Sequence, residues 1–257
     1  MDTIYALIFG IVEGLTEFLP ISSTGHLMLT AKILGLSQTD FLKSFEIAIQ
    51  LGAILAVVVL YWRKLIVDVG VLKRVLTAFI PTAFMGAIFY HIIKKILLNS
   101  YETVLWSLFW GGIFLIIFEY YHREKKTAVD DLKGIPYSTA LMIGVFQSLA
   151  MVPGVSRAAA TIVGGLILGV RRKTIVEFSF LLAVPTMSAA TALDLLKSAH
   201  EFSLGQMEFL FIGFVSSFVV AILSIKFLLH FIKNHTFIGF GVYRVLIALL
   251  FWFVLRK

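Results

Sequence analysis

The chain has 257 residues, of which 60% are hydrophobic and 14% are charged, and its mean hydropathy is +0.97. Soluble domains are typically about 45–50% apolar, so the composition excludes an ordinary soluble protein and indicates an integral membrane protein. The net charge of +7 predicts no nucleic-acid partner, because the cations lie in short loops beside lipid headgroups, and the absence of Cys excludes disulfides and thiolate chemistry.

The first apolar segment, residues 6–36, is broken near its centre by Pro20 and carries groups that a bilayer should expel: Glu13, Glu17 and His26. Broken backbone is tolerated at membrane depth only where protein or a watery cavity satisfies it. We therefore expect two half-helices joined by a loop. A removable signal peptide is not expected, since the first residues are not basic and no small-residue cleavage site precedes Glu13.

Apolar windows of about 20 residues, the length that crosses a bilayer, predict six transmembrane helices. These windows lie at residues 43–62, 75–93, 103–121, 176–196, 207–229 and 238–255. The polar segment 122–136 separates two halves, so we expect a first repeat over residues 1–136 and a second over residues 137–257.

A second broken segment, residues 140–170, resembles the first at an offset of 134 residues. The matched pairs are Gly10 and Gly144, Glu13 and Gln147, Leu15 and Leu149, Ser22 and Ser156, and Gly35 and Gly169. Because three spans separate the two segments, the halves should have opposite orientations. The sequence thus predicts an all-α polytopic membrane protein with an inverted-topology repeat, six transmembrane helices and two re-entrant helical hairpins.

The cations predict the orientation of this topology, because excess Lys and Arg mark the cytoplasmic side. The larger set comprises Arg63, Lys64, Lys73, Arg74, Arg123, Lys125, Lys126, Lys133, Arg171, Arg172, Lys173, Lys226 and Lys233, and the smaller set comprises Lys43, Lys94, Lys95, Lys197, Arg256 and Lys257. Both termini should therefore lie outside.

Glu13 and Glu17 lie four residues apart, and hence on one face of a helix. Each isolated carboxylate would cost about 2.5–3.5 kcal/mol at the bilayer centre, so something must compensate them. We favour a shared divalent cation, Mg²⁺ or Ca²⁺, because carboxylate oxygens are preferred ligands of both. The alternatives are a proton shared by the two carboxylates, and an ion pair with Arg or Lys that serves packing alone.

The run after Pro20, residues 21–26, places three hydroxyls before the only imidazole of the first segment, that of His26. Serine is a poor nucleophile unless a base takes its proton, and His titrates near neutral pH, so the run supplies nucleophile and base candidates together. The alternative is that the hydroxyls cap a half-helix.

The second loop, residues 153–161, combines Gly154, Ser156, Arg157 and Thr161. Glycine lets the backbone approach a ligand, the half-helix that follows presents free N–H groups to an anion, and Arg157 adds a fork of donors matched to phosphate. This pattern indicates an anion site within a membrane. The alternative is that Arg157 only neutralises a glutamate of the first segment.

Three further polar groups lie within predicted spans. Glu46 and Gln50, four residues apart, either extend the polar site or form a solvated pair near the interface. Arg244 lies inside the last span, where we expect it to pair with a carboxylate, Glu46 or Glu208, or with a substrate phosphate.

Over nearly its full length the chain resembles the bacitracin-resistance family of undecaprenyl-diphosphate phosphatases, through residues 13–26, 45–52 and 153–161. The resemblance implies that the family's glutamates, serine and histidine correspond to Glu13, Glu17, Ser23 and His26. It implies a phosphate loop of Gly154, Ser156, Arg157 and Thr161, to which we add Ser22 as a phosphate-binding candidate. Ala158 stands where the family usually has Ser, so no essential role is expected for that hydroxyl.

The activity that this resemblance implies is removal of the terminal phosphate from a polyprenyl diphosphate lipid, undecaprenyl diphosphate. The product would be reused as the carrier lipid of cell-wall synthesis, in a multi-pass protein of the bacterial plasma membrane whose site opens toward the outer face. As a hypothesis, Ser23 attacks the terminal phosphorus, His26 handles protons, Glu13 and Glu17 hold the cation, and Arg157 stabilises charge.

Three alternatives stay open at this point. Water could attack phosphorus directly, with His26 or Glu17 as its base. The inverted repeat is also the usual architecture of transporters, so a transporter or flippase of a phosphorylated lipid is the rival function. The oligomeric state, including a homodimer, is left open by the sequence.

Overall fold

The computed structural model describes residues 2–37, 39–92, 100–198 and 206–255. Within these ranges the chain is all-α, as predicted, with no β-strand and one isolated bridge between Val129 and Val170. The α-helices, in chain order, are α1 Thr3–Thr16, α2 Ser23–Ile33, α3 Asp40–Trp62, α4 Val69–Ile92, α5 Tyr101–Tyr121, α6 Tyr137–Ser148, α7 Arg157–Ile167, α8 Arg172–Ser198, α9 Met207–Phe231 and α10 Ile238–Leu255.

Five stretches of helix in the described ranges are long and apolar enough to cross a bilayer, which makes the chain a polytopic membrane protein. They are Phe41–Val67, Val69–Phe89, Tyr101–Tyr121, Arg172–Leu193 and Met207–Phe231. Each overlaps one predicted span, although several ends differ by a few residues, and position 93 of the second predicted span lies outside the described residues. The sixth predicted span, 238–255, corresponds to α10, whose described apolar part is shorter, so the count of six stays a prediction.

Both broken segments fold as two short helices around a turn. Ser22 and Ser156 cap the second helix of each unit, with their Oγ atoms accepting from the N–H groups of Gly25 and Ala159 at 3.4 and 3.1 Å. At the other end, α2 and α7 are followed by Gly35 and Gly169, with φ of 65° and 82°, a backbone region that favours glycine. The same backbone features therefore recur at an offset of 134 residues.

The first helix of each unit packs closely against a long helix of the other half. α1 lies against α9, and α6 lies against α4. A Cβ atom at Gly10 would lie 2.5 Å from the carbonyl oxygen of Gly213, and one at Gly144 would lie 1.9 Å from that of Ala78. Glycine is thus required at both contacts. α3 packs against α8 and α9, and α5 packs against α10, so the two turns are enclosed by the bundle.

Cations of the larger set from both halves meet acidic residues at one end of the bundle. The ion pairs are Lys64–Glu177, Lys133–Asp68, Arg171–Asp130 and Arg172–Glu119. The linker, residues 122–136, contacts the second half through Val129, which exchanges backbone hydrogen bonds with Gly169 and Arg171. Of the smaller set, Lys94, Lys95, Arg256 and Lys257 lie outside the described residues, as does the side chain of Lys197.

Candidate active site

Two buried side chains, Glu17 and Ser23, and the partly buried Arg157 connect the turns of the two units. Ser23 Oγ donates to Glu17 Oε2 at 2.5 Å, and Arg157 Nε donates to Glu17 Oε1 at 3.2 Å. Glu17 follows the last residue of α1, whereas Ser23 and Arg157 are the first residues of α2 and α7. The expected contact between an acid of the first segment and the guanidinium of the second is therefore confirmed.

Arg157 is only partly satisfied by the protein. Its Nη1 donates to the carbonyl oxygen of Ser179 at 2.9 Å, and its guanidinium lies 6.0 Å from the ring centroid of Phe18. Its Nη2 is buried and makes no hydrogen bond to a described residue. A buried donor without a partner is costly, and an anion bound beside it would remove that cost.

A cavity of about 110 Å³ opens where the two turns meet. It is lined by Glu17, Ser22, Ser23, Thr24, Gln50, Ala150, Val155, Ser156, Arg157 and Met187. This volume is several times that needed by one water molecule, so the cavity can admit a phosphate group but not a long hydrocarbon chain.

Glu13 lies one helical turn before Glu17 and is fully buried. Both of its carboxylate oxygens lack a hydrogen-bond partner among the described residues, and it is not among the residues that line the cavity. The charged groups that act on it are Glu17, Glu46 and Arg157. Two buried oxygens without donors fit either a proton or a cation.

No three His, Cys, Asp or Glu side chains converge on one point within the described ranges. A cation at Glu13 and Glu17 would thus need phosphate or water oxygens as further ligands, as is usual for Mg²⁺ in phosphate chemistry.

His26 is not among the residues that line the cavity. Its Nδ1 lies 2.7 Å from the carbonyl oxygen of Ser22, and its Nε2 lies 2.9 Å from the hydroxyl oxygen of Tyr243. The two rings stack, with an interplanar angle of 6°. Sequence reasoning missed Tyr243, because one tyrosine in an apolar helix carries no distinguishing signal.

Ser22 has an unusual backbone. Its φ is 73°, and within the described ranges it is the one non-glycine residue with positive φ. This conformation is strained for a residue with a side chain. The strain falls directly before Ser23.

The predicted phosphate loop divides into two parts. Ser156 lines the cavity and caps α7, as described above, and its Oγ also approaches the carbonyl oxygen of Leu19 at 3.4 Å. Gly154 and Thr161 do not line the cavity. The Thr161 hydroxyl donates to the Arg157 carbonyl one turn earlier in α7, at 2.8 Å. Phosphate binding by Gly154 and Thr161 stays a prediction.

Arg244 ties both turns to α5. Its Nη2 donates to the carbonyl oxygens of Ser107 and Gly154, each at 3.0 Å, and its Nη1 donates to that of Pro20 at 3.4 Å. The sequence assigned this side chain to a carboxylate or a phosphate. Its Nη atoms instead contact backbone carbonyls. Those of Pro20 and Gly154 belong to the two turns, where broken helices leave acceptors that only neighbouring donors can satisfy, and that of Ser107 belongs to α5.

The remaining candidates lie on α3. Gln50 lines the cavity, whereas Glu46 is buried one turn earlier and acts electrostatically on Glu13. The polar site thus extends from the two turns onto this helix.

Comparison with known proteins identifies the family of the chain. Residues 6–250 match the family described as bacitracin resistance protein BacA. The undecaprenyl-diphosphatase of Sulfurihydrogenibium sp. strain YO3AOP1 is 54% identical over 98% of this chain and 99% of its own length. Those of Aquifex aeolicus strain VF5 and Persephonella marina strain DSM 14350 / EX-H1 are 52% and 50% identical over 96% and 98% of both chains. The chain therefore belongs to the bacitracin resistance protein BacA family.

Proposed function

We propose that the chain is a membrane-embedded undecaprenyl-diphosphatase, which converts undecaprenyl diphosphate and water to undecaprenyl phosphate and inorganic phosphate. The observation that carries this proposal is the buried chain of hydrogen bonds from Ser23 through Glu17 to Arg157. It supplies a nucleophile, a proton acceptor and a phosphate ligand in one small cavity. The names of its close relatives support this enzyme and give no support to the transporter alternative.

The terminal phosphate is the part of the substrate that the cavity fits. Arg157 offers the unpartnered Nη2 as a donor, and α7 begins at the cavity, so the positive end of its dipole favours an anion. The prenyl tail is too long for the cavity and lies outside it among the lipid-facing helices. A substrate that never leaves the bilayer thus reaches a site built inside the membrane.

The first chemical step follows from the contact between Ser23 and Glu17. Ser23 Oγ attacks the terminal phosphorus, the Oγ–P bond forms, and the bond from that phosphorus to the bridging oxygen breaks. The bridging oxygen leaves as part of undecaprenyl phosphate. The Ser23 proton passes to Glu17, whose carboxylate already accepts that hydroxyl at 2.5 Å.

The second step restores the enzyme. Water adds to the phosphorus of the phosphoserine, and the Oγ–P bond breaks. Glu17 returns its proton to Ser23 Oγ, inorganic phosphate leaves, and the remaining water proton passes to solvent. In the alternative scheme water attacks the lipid diphosphate directly and Glu17 takes its proton, which requires no bond to Ser23.

We further propose a divalent cation, Mg²⁺ or Ca²⁺, held by Glu13 with Glu17. The buried Glu13 oxygens without donors support it, and carboxylate oxygens suit both ions. When bound, the cation would neutralise charge on the phosphate oxygens. Glu17 already bonds to Ser23 and Arg157, so Glu13 is the principal protein ligand in this proposal.

For the membrane arrangement we propose an inverted repeat of residues 1–136 and 137–257, each with one re-entrant hairpin and three transmembrane helices. The matched caps, the matched positive-φ glycines and the equivalent packing of α1 on α9 and α6 on α4 support it. The cationic end of the bundle then faces the cytoplasm of a bacterium. Both termini and the opening of the site lie on the opposite side of the inner membrane, facing away from the cytoplasm.

Phosphate release from undecaprenyl diphosphate by the purified chain in detergent tests the proposed function. We expect multiple turnovers, with release abolished in Glu17→Gln and retained in the exposed control Glu208→Gln. A chain that is folded, binds the lipid diphosphate and releases no phosphate would contradict the proposal.

A further inference from the structure

His26 is held between the backbone of its own turn and a helix from the other end of the chain. A carbonyl oxygen can only accept a hydrogen bond, so the 2.7 Å contact to Ser22 places a proton on Nδ1. In the neutral ring Nε2 is then the acceptor of the Tyr243 hydroxyl, at 2.9 Å. Both ring nitrogens are therefore occupied by protein, and neither contacts Ser23.

The carbonyl that accepts the hydrogen bond from His26 Nδ1 belongs to Ser22, the residue with the strained backbone. Ser22 has a φ of 73°, and its carbonyl oxygen accepts from both the backbone N–H of His26 and the ring Nδ1. Strain of this kind persists only where surrounding contacts hold it. The imidazole and its tyrosine partner supply such contacts one residue before Ser23.

The second hairpin provides an internal comparison. Ser156 corresponds to Ser22 and caps its helix in the same way, but its φ is −67°. The position that corresponds to His26 is Ala160. Capping alone therefore does not require positive φ, and the imidazole occurs in the hairpin whose turn is strained.

We infer that His26 and Tyr243 are positioning residues: together they hold the strained turn at Ser22 so that Ser23 Oγ meets Glu17, which is the proton acceptor. This inference rests on the proposed function and deepens it. It reassigns proton transfer from the imidazole, which the sequence favoured, to the carboxylate. It also gives α10 a role, because its Tyr243 and Arg244 each contact the first turn, through His26 and Pro20.

Two amide substitutions at His26 separate positioning from proton transfer. In His26→Asn the side-chain amide nitrogen lies near the former Nδ1, so the donor to the Ser22 carbonyl is kept. In His26→Gln the amide nitrogen lies near the former Nε2, so the donor to the Ser22 carbonyl is lost. Neither amide titrates. We expect His26→Asn to keep kcat within about tenfold of the wild type, the loss expected from one neutral hydrogen bond.

We expect His26→Gln to lower kcat by about 10²-fold, because small displacements of a reacting group have effects of this size. The pH–rate profile of His26→Asn should retain the limbs of the wild-type profile. If the imidazole were the general base, both variants would lose about 10²–10⁴-fold and one limb would disappear. That pattern would overturn the inference.

The chain contains matched controls. His235 also directs Nδ1 at the carbonyl four residues earlier, that of Phe231 at 3.2 Å, and stacks on that ring. His235→Asn and His235→Gln should leave kcat unchanged. Tyr243→Phe keeps the stacked ring but removes the hydroxyl, and we expect a several-fold fall in kcat with KM unchanged, whereas Tyr120→Phe at an exposed position should have no effect.

Imidazole ¹⁵N chemical shifts test the arrangement without any assay of activity. The His26 signal, identified by its loss in His26→Asn, should show a protonated Nδ1 and an unprotonated Nε2, and the Nε2 shift should move in Tyr243→Phe. A protonated Nε2 in the neutral ring would overturn the inference. This result is independent of phosphate release, so an inactive wild type would count against the proposed function alone.

Discussion

Glu17 Oε1 lies 3.2 Å from Arg157 Nε, although the two residues are 140 positions apart in the chain. The contact joins two turns that each interrupt a membrane-embedded segment. It compensates the acid of the first turn with the cation of the second, and it places both beside Ser23. Stability of the buried charges and arrangement of the reacting groups therefore depend on the same pair.

Arg157→Lys tests whether the guanidinium fork matters beyond its charge. Lysine can neutralise Glu17, but it cannot also reach the Ser179 carbonyl and offer a separate donor to phosphate. We expect kcat/KM to fall by about 10²–10³-fold, the range found when one donor to transition-state charge is removed. The measurement is steady-state phosphate release at several substrate concentrations, with Arg63→Lys at an exposed position as the control. Equal rates for Arg157→Lys and the wild type would show that positive charge alone suffices.

Glu13→Gln tests the proposed cation. The amide cannot carry the negative charge that a cation would neutralise at this buried position, so we expect the Tm measured in chelator to be no lower than that of the wild type. In Glu13→Gln the cation concentration needed for half-maximal phosphate release should increase at least tenfold, which corresponds to about 1.4 kcal/mol of cation-binding free energy.

Glu208→Gln, at the exposed start of α9, should change neither quantity. A wild-type rate that is unaltered by chelator would contradict a cation at Glu13 and Glu17. An unchanged cation requirement in Glu13→Gln would contradict the role of Glu13 as its ligand.

Gly154→Ala tests the close approach of the second turn to α5. Its φ is 89°, and an added Cβ would lie 2.6 Å from the carbonyl oxygen of Val104. We expect a loss of at least about 1–3 kcal/mol of stability, together with lower activity, because Arg244 binds the Gly154 carbonyl. Gly169→Ala has a similar φ of 82° with nothing within 4 Å of the added Cβ, so it should show the strain without the clash. Equal Tm values for the two variants would assign the whole effect to strain.

The orientation can be tested with single cysteines, because the natural chain has none. We expect Lys126→Cys in the linker to react with a membrane-impermeant maleimide only after the cells are opened. Glu102→Cys at the start of α5 should react in intact cells. The reverse pattern, in variants that retain phosphate release, would invert the proposed topology.

Much of the site could be predicted because a bilayer restricts where charges and turns occur. Glu17 and Arg157 were expected to meet, since an intramembrane charge needs a partner. Capping by Ser22 was the alternative that hydroxyls after a turn suggested, whereas capping by Ser156 was not predicted. The breaks in both segments could likewise be located, because Pro and Gly interrupt otherwise apolar runs.

Other parts of the site carried no local signal. Tyr243 is one ring among many in α10, and its contact with His26 is made across 217 positions of the chain. The carbonyl partners of Arg244 are backbone groups, which every residue carries, so the sequence could not point to them. The positive φ of Ser22 could not be predicted either, because residues with a side chain rarely adopt that backbone region.

The most direct test of the account is whether the terminal phosphate is transferred to Ser23. Substrate labelled in that phosphate is mixed with excess enzyme, quenched in acid at short times and digested for mass spectrometry. We expect a phosphoserine at position 23 that forms and decays during one turnover of the wild type. Ser23→Ala should release no phosphate, whereas the control Thr77→Ala in α4 should match the wild type. Single-turnover release at the wild-type rate in Ser23→Ala would contradict the account and leave direct attack by water.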